Sequence, residues 1–147
     1  MNIKNNIEDL QLKARIGSVL LKIHTVAAIN GEMLTAEMVE EEMIKELSNS
    51  EGSTLVSPII AAARLRVCQT FNNGSPCSFF GTVTHNGITG VGCTACTCYL
   101  AVKSQFDEIK GIAKSVKIRC GAIEKGYSDR WAENTPLMQK YLSESNA

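Results

Sequence analysis

The sequence predicts an α+β fold in which an N-terminal helical hairpin is followed by a small antiparallel β-hairpin or sheet packed with helices. Residues 5–29 and 36–47 show the three-to-four-residue apolar spacing of amphipathic helices. Residues 79–91 instead carry β-branched and aromatic residues on either side of Asn86-Gly87, a pair that suits the positive φ angles of a type I′ turn. The helical patterns and the hairpin occupy separate parts of the chain, which is typical of the α+β class.

The first two helices are predicted to form an acidic hairpin within residues 1–50. Asn30-Gly31 is a common helix stop, and Thr35 is the expected N-cap of the second helix. The glutamates of the second helix are interpreted as a solvated face, and His24 as a packed residue of the first helix. The apolar side of the first helix comprises Ile7, Leu10, Ile16, Val19, Leu20, Ile23, Val26 and Ala27.

Residues 48–57, rich in Ser, Gly, Asn and Thr, are predicted to be a linker. The linker divides the chain into the acidic hairpin, residues 1–50, and a cysteine-bearing α+β domain, residues 57–147. Acidic side chains outnumber basic ones before the linker, and the reverse holds after it. We therefore expect the N-terminal helices to dock onto a protein partner or onto a second copy of the chain, forming a homo-oligomer.

The second domain is predicted to begin with a helix capped by Ser57, with Pro58 in its first turn. After the β-hairpin, apolar residues again recur every three or four positions, so a long helix is expected from Thr94 to Val116. Residues 115–119 fit either a helix or an extended piece. The last two predicted segments are 122–132 and a short helix from Pro136 to Leu142.

The overall composition excludes partners that bind by bulk electrostatics. The 147 residues carry 15 basic and 15 acidic side chains, a formal net charge of +0, so neither nucleic acid nor an anionic membrane is an expected partner. The sequence has no signal-peptide pattern and no apolar run of transmembrane length. We expect a soluble, cytoplasmic protein, in which six cysteines are more typical of metal ligands or redox groups than of disulfides.

Three cysteines, Cys93, Cys96 and Cys98, lie within six residues, at the predicted change from strand to helix. Free N–H groups and the positive end of a helix dipole favour a thiolate at such a place. Thiolates are soft ligands for zinc, copper(I) and iron–sulfur clusters. The segment therefore predicts a metal-binding, non-catalytic cysteine site. A further ligand is expected from Cys77, Cys120 or His85, with Lys117 and Arg119 as neighbouring basic residues.

Two other interpretations use the same cysteines. Cys93-Thr-Ala-Cys96 has the Cys-x-x-Cys spacing of a dithiol redox pair, although no βαβ pattern surrounds it. Alternatively the protein is structural and self-assembling, and its cysteines are buried core residues or crosslinks. Cys68, near the end of an apolar helix, and Cys98 are the best candidates for buried free cysteines.

Two families share local patterns with this chain. Cys93-Thr-Ala-Cys96-Thr-Cys98 resembles the metal claw of the nitrile hydratase α subunit, without the Pro- and Trp-rich sequence that follows the claw there. Residues 71–131 resemble the U-type iron–sulfur cluster scaffold proteins. The shared order is a first cysteine before a hairpin, a Gly-Cys at its end, and a Val-Lys-x-x-Cys element.

The scaffold resemblance implies that Cys77, Cys93 and Cys120 hold an iron–sulfur cluster or zinc, with Cys96 or Cys98 as an auxiliary ligand. It also implies a small antiparallel sheet with helices on one side. The chain departs from the family at Phe79, where the scaffolds usually have an aspartate associated with cluster lability. A stably held cluster or zinc ion is therefore the expected cofactor.

Overall fold

The fold, given by a computed structural model that describes residues 3–145, is α+β, as the sequence predicts. These residues form five α-helices, one 3-10 helix and two three-stranded antiparallel sheets. The elements are α1 (Ile3–Asn30), α2 (Ala36–Ser48), β1 (Thr54–Leu55), α3 (Pro58–Thr70), β2 (Phe80–His85), β3 (Ile88–Cys93), β4 (Cys98–Tyr99), α4 (Leu100–Lys103), β5 (Phe106–Lys110), β6 (Ser115–Lys117), the 3-10 helix Gly121–Lys125 and α5 (Pro136–Ser145).

The chain divides into two compact units, each assembled from separate stretches. Unit 1 contains the chain up to Leu55 with Thr84–Gly90 and Phe106–Ile118. Unit 2 contains Val56–Val83, Val91–Gln105 and the chain from Arg119 onward. None of the helices within residues 3–145 is both long and apolar enough to cross a membrane.

Unit 1 packs α1 and α2 against the sheet ordered β1-β5-β6. α1 ends at Asn30, and Gly31 follows it with a φ of +68°, which is readily adopted only without a side chain. The Thr35 hydroxyl accepts a hydrogen bond from the Met38 N–H, which confirms the predicted N-cap of α2. The core is formed by Leu12, Ile16, Val19, Leu20, Ile23, Val39, Met43, Leu47, Phe106, Ile109 and Val116.

Unit 2 pairs α3 with α5 and holds the strand ends that carry the cysteines. The predicted cap of α3 is confirmed, because the Ser57 hydroxyl accepts from the Ile60 N–H and Pro58 occupies the first turn. In unit 1, the predicted type I′ residues also have the required geometry, with φ of +50° at Asn86 and +82° at Gly87.

The long helix predicted from Thr94 to Val116 is wrong. Only α4, four residues long, is helical there, and β5 and β6 follow it as an antiparallel pair joined around Gly111. The apolar spacing wrongly suggested a helix because Phe106, Ile109 and Val116 are buried side chains of two strands, β5 and β6, and do not share one helix face. The predicted linker, residues 48–57, likewise contains β1, which pairs with β5.

Candidate thiol centre

All six cysteines belong to unit 2, and all are free thiols. Cys68 is half-buried at the end of α3. The other five, Cys77, Cys93, Cys96, Cys98 and Cys120, are buried. The sequence-predicted ligand cysteines are thus gathered in one unit, in two adjacent groups described below.

The first group is produced by a tight connection between β3 and β4. Cys93, the last residue of β3, is directly paired with Cys98, the first residue of β4. The Thr97 N–H donates to the Cys93 carbonyl oxygen at 2.7 Å, and Thr97 has a left-handed φ of +61°. This turn brings Cys96 between its two neighbours. We call Cys93, Cys96 and Cys98 the thiol triad.

In the thiol triad, the two outer thiols donate hydrogen bonds to the central sulfur, that of Cys96. Hydrogen bonds from the Cys93 and Cys98 thiols lower the pKa of Cys96 far below its ordinary value, and the positive charge of Lys103 acts in the same direction. The same hydrogen bonds, together with burial, raise the pKa of Cys93 and of Cys98. The Cys96 carbonyl oxygen also lies 3.7 Å from Cys98 Sγ. The three groups titrate as a unit, and the contact of Lys103 Nζ with Cys96 Sγ favours the first negative charge at Cys96.

Lys103 supplies the countercharge for this thiolate. Its ammonium Nζ donates to Cys96 Sγ at 3.5 Å, and the residue is only 4% exposed. Burial lowers the pKa of Lys103 and is the largest single influence on it, but Cys96, Cys98, Glu124 and Cys93 together raise it by more, so the ammonium form persists. The expected helix N-terminus at Thr94 is absent, so the buried lysine and the two neighbouring thiols, rather than a helix dipole, stabilise the thiolate.

Gly121 makes room for the thiol triad. A Cβ at this position would lie 2.6 Å from both Cys93 Sγ and Cys96 Sγ, well inside van der Waals contact. A glycine at the start of the 3-10 helix therefore lets the backbone approach the two sulfurs closely. Sequence reasoning missed both Gly121 and Lys103. The only local signal for Lys103 was a charged residue within the apolar stretch that begins at Leu100.

The second group consists of Cys77 and Cys120, joined by Arg130. The Arg130 guanidinium donates to Cys77 Sγ at 2.8 Å, and the Arg130 backbone N–H donates to Cys120 Sγ at 3.2 Å. The guanidinium also stacks on the Phe71 ring, with 3.8 Å between the guanidinium carbon and the ring centroid. Burial raises the pKa of Cys120. The positive charge near these sulfurs comes from Arg130, which sequence reasoning also missed.

A small cavity of about 20 Å³ separates the cysteines of the two groups, with room for about one water molecule. Its lining includes Cys68, Cys77, Cys93 and Cys120, the last three being the ligands implied by the scaffold resemblance. Burial raises the pKa of Cys68 to about 12, so this thiol stays protonated at neutral pH.

The remaining predicted auxiliary residues are placed differently. His85 and Lys117 belong to unit 1, where Lys117 forms an ion pair with Asp107. Arg119 belongs to unit 2 and immediately precedes Cys120. The basic residues expected to favour thiolates were Lys117 and Arg119, but the residue that donates to Cys96 is Lys103.

The metal-site prediction is not matched by a preformed ligand arrangement. Within the part of the chain that the structure describes, no three His, Cys, Asp or Glu side chains are arranged to hold one metal ion. The donor set is suitable in its chemistry for zinc or an iron–sulfur cluster, so the cofactor stays a prediction. What the arrangement can do as it stands is keep one thiolate and one thiol in direct hydrogen-bonding contact.

Comparison with known proteins adds no assignment to this geometry. The resemblances to cluster scaffolds and to nitrile hydratase therefore stay predictions from local sequence patterns. No protein-family model, curated protein or solved structure gives a significant match to the chain.

Proposed function

We propose that unit 2 is a redox-active thiol centre in which Cys93 and Cys96 are converted to a disulfide by a small hydroperoxide. The observation that supports this most is the buried Lys103 ammonium, whose Nζ lies 3.5 Å from Cys96 Sγ. The neighbouring Cys93 thiol hydrogen-bonds to the same sulfur and lowers the pKa of Cys96 further. A thiolate, not a thiol, is the reactive form of cysteine, and a thiol next to it can serve as the resolving group.

The reaction begins when the Cys96 thiolate attacks one peroxide oxygen, so an S–O bond forms, the O–O bond breaks and hydroxide leaves. That hydroxide takes the proton of the Cys93 thiol and becomes water. The Cys93 thiolate then attacks the Cys96 sulfur, forming the S–S bond and releasing a second hydroxide. In total one thiol, one thiolate and hydrogen peroxide yield a disulfide, water and hydroxide, with two electrons passed from sulfur to oxygen.

Access to the sulfurs favours a small oxidant over a protein disulfide. Cys96 is 1% exposed and Cys93 is 8% exposed. Cys93 and Gly121 both line the cavity, and a Cβ at Gly121 would lie 2.6 Å from Cys96 Sγ, so the cavity lies beside the pair. Its volume of about 20 Å³ suits a molecule near the size of water. A bulky disulfide would need the surrounding chain to open first. Re-reduction by cellular thiols fits a reducing compartment such as the cytoplasm.

Peptide mapping after oxidation tests the proposal. The purified protein is treated with hydrogen peroxide or with oxidised glutathione, and its disulfides are located by mass spectrometry. We expect peroxide to produce the Cys93–Cys96 disulfide, and glutathione to react much more slowly. Cys68→Ser is a matched control because Cys68 lines the same cavity but is protonated and outside the triad.

Two results would contradict the redox proposal. One is peroxide-treated protein in which the Cys93–Cys96 disulfide does not form. The other is a Cys93–Cys96 disulfide that forms at the same rate after the Lys103→Met substitution. That result would mean that the positive charge of Lys103 does not stabilise the reactive thiolate.

A second candidate function is binding of zinc or an iron–sulfur cluster, and Cys98 favours it. Formation of one disulfide involves only two sulfurs, yet a third cysteine, Cys98, also hydrogen-bonds to Cys96. A soft metal ion could replace the shared protons and draw in Cys77 or Cys120 from across the cavity. Anaerobic purification with metal and acid-labile sulfide analysis tests this candidate. Stoichiometric zinc, or iron with sulfide, lost on Cys98→Ser, is the expected result, and metal-free protein that takes up neither would exclude it.

A further inference from the structure

An open groove runs along unit 1 between α1 and α2. Its volume is about 540 Å³, and both helices and the segment connecting them contribute to its lining. The apolar part of the lining comprises Ile23, Val26, Ala27, Leu34 and Met38. The groove therefore offers an apolar surface between two helices, the kind of surface that receives an amphipathic helix.

Large apolar side chains are exposed around the same end of the helical hairpin. Ile29 is 78% exposed and Met33 is 92% exposed, and both lie close in sequence to the lining residues Val26 and Leu34. Val26 is itself 48% exposed although it lines the groove. Exposed apolar side chains beside a groove add to its apolar surface, and methionine adapts its shape to a partner's side chains.

The rim of the groove is strongly acidic. Four glutamates line it, Glu32, Glu41, Glu42 and Glu46, against a single basic residue, Lys22. Lys22 is already paired with Glu46, with 2.9 Å between Nζ and the carboxylate oxygen. Glu32 accepts a hydrogen bond from the Asn30 side-chain amide, a neutral group that leaves its negative charge uncompensated. The charges of Glu32, Glu41 and Glu42 therefore favour cationic side chains of an occupant.

We propose that this groove binds a basic amphipathic helix of a partner protein. The apolar face of such a helix would cover the exposed lining, and its lysines or arginines would face the glutamates of the rim. A second copy docking groove to groove is disfavoured, because it would bring the two acidic rims together. An anionic membrane surface is repelled by the same charges.

A pair of synthetic peptides provides the test. The probe is an amphipathic helix of leucine and lysine, about 18 residues or five turns long. The matched peptide has glutamate at every lysine position. Binding is measured by fluorescence anisotropy to the full chain under reducing conditions, so that the outcome does not depend on thiol chemistry. We expect the lysine peptide to bind and the glutamate peptide not to bind.

Charge-reversal variants locate the site. Glu41→Lys/Glu42→Lys changes the rim, and Glu37→Lys/Glu51→Lys makes the same change in net charge at exposed positions that do not line the groove. We expect the rim variant to lose at least about tenfold in affinity for the lysine peptide, equal to about 1.4 kcal/mol, and the control variant less than about twofold. Circular dichroism checks that both variants keep the wild-type helix content.

Two outcomes would overturn the proposal. Equal losses in the two variants would mean that the peptide is attracted by net charge and not by the groove. Sedimentation of the wild-type chain as a dimer that the rim variant converts to a monomer would identify a second copy of the chain as the occupant.

Discussion

Replacing Lys103 by methionine should remove the countercharge that keeps Cys96 ionised while preserving most of the buried volume. Two unit charges 3.5 Å apart attract by up to about 5 kcal/mol at an effective dielectric constant of about 20. Because one pKa unit corresponds to about 1.4 kcal/mol, the first ionisation of the thiol triad should move upward by as much as about three pH units in Lys103→Met. The hydrogen bonds from Cys93 and Cys98 remain, so the pKa of Cys96 should stay below that of an isolated buried thiol.

The assay is an ultraviolet titration of thiolate absorbance under anaerobic, reducing conditions. The signal of Cys96 is the difference between each protein and the same protein carrying Cys96→Ser. In the wild-type chain we expect this thiolate at neutral pH, because the pKa of Cys96 is lowered. In Lys103→Met we expect the ionisation step to move to higher pH.

The matched control is Lys117→Met, because Lys117 was the basic residue that sequence reasoning placed near the cysteines, whereas its ion pair is with Asp107 in unit 1. This variant should leave the titration unchanged. The reasoning is refuted if the wild-type thiolate forms only near pH 9, or if Lys103→Met shifts the titration by less than about one unit.

Three further substitutions test the packing and the linkage of the thiol triad to stability. Gly121→Ala should lower the free energy of unfolding by about 1–3 kcal/mol, because its Cβ would overlap two sulfurs; the control Gly17→Ala, with nothing within 4 Å of its Cβ, should be neutral or stabilising in denaturant titrations. The folded chain holds Cys96 ionised where the unfolded chain protonates it, so stability should rise with pH. Relative to Cys96→Ser/Lys103→Met, the wild-type free energy of unfolding should gain about 1.4 kcal/mol per pH unit between about pH 6 and pH 8, and a flat difference would disprove the buried thiolate. Thr97→Gly should relieve a left-handed φ and stabilise the chain by about 1 kcal/mol in the same assay; destabilisation would show that the Thr97 side chain contributes more than its backbone strain costs.

Sequence signals of a few neighbouring residues correctly predicted the helix caps and the hairpin turn. The caps at Thr35 and Ser57 and the Asn86-Gly87 turn each depend on a few neighbouring residues, and each is confirmed. The segment from Thr94 to Val116 failed because its strands are held by distant partners. β5 pairs with β1, about fifty residues earlier in the chain, and such pairing leaves no periodic mark in a short window.

In the candidate site, too, the features set by neighbouring residues were predictable and those set by distant residues were not. The density of sulfur between Cys93 and Cys98 was visible in the sequence, and the structure brings these residues together. Their electrostatics were not visible, because Gly121 reaches the thiol triad from another part of the chain and Lys103 is turned into the interior by a short helix. Long-range contacts of this kind decide which thiol is charged, and they depend on the fold as a whole.

Because each unit is assembled from separate stretches of the chain, a single break in the chain does not separate the two units. A break just after Leu55, inside the segment that the sequence suggested as a linker, would remove α1, α2 and β1 but leave β5 and β6 attached to the cysteine-bearing chain. Phe106, Ile109 and Val116, almost fully buried in the whole protein, would then lose the helices that cover them. A C-terminal fragment that begins at Val56 should therefore expose these side chains and aggregate, although it contains all six cysteines.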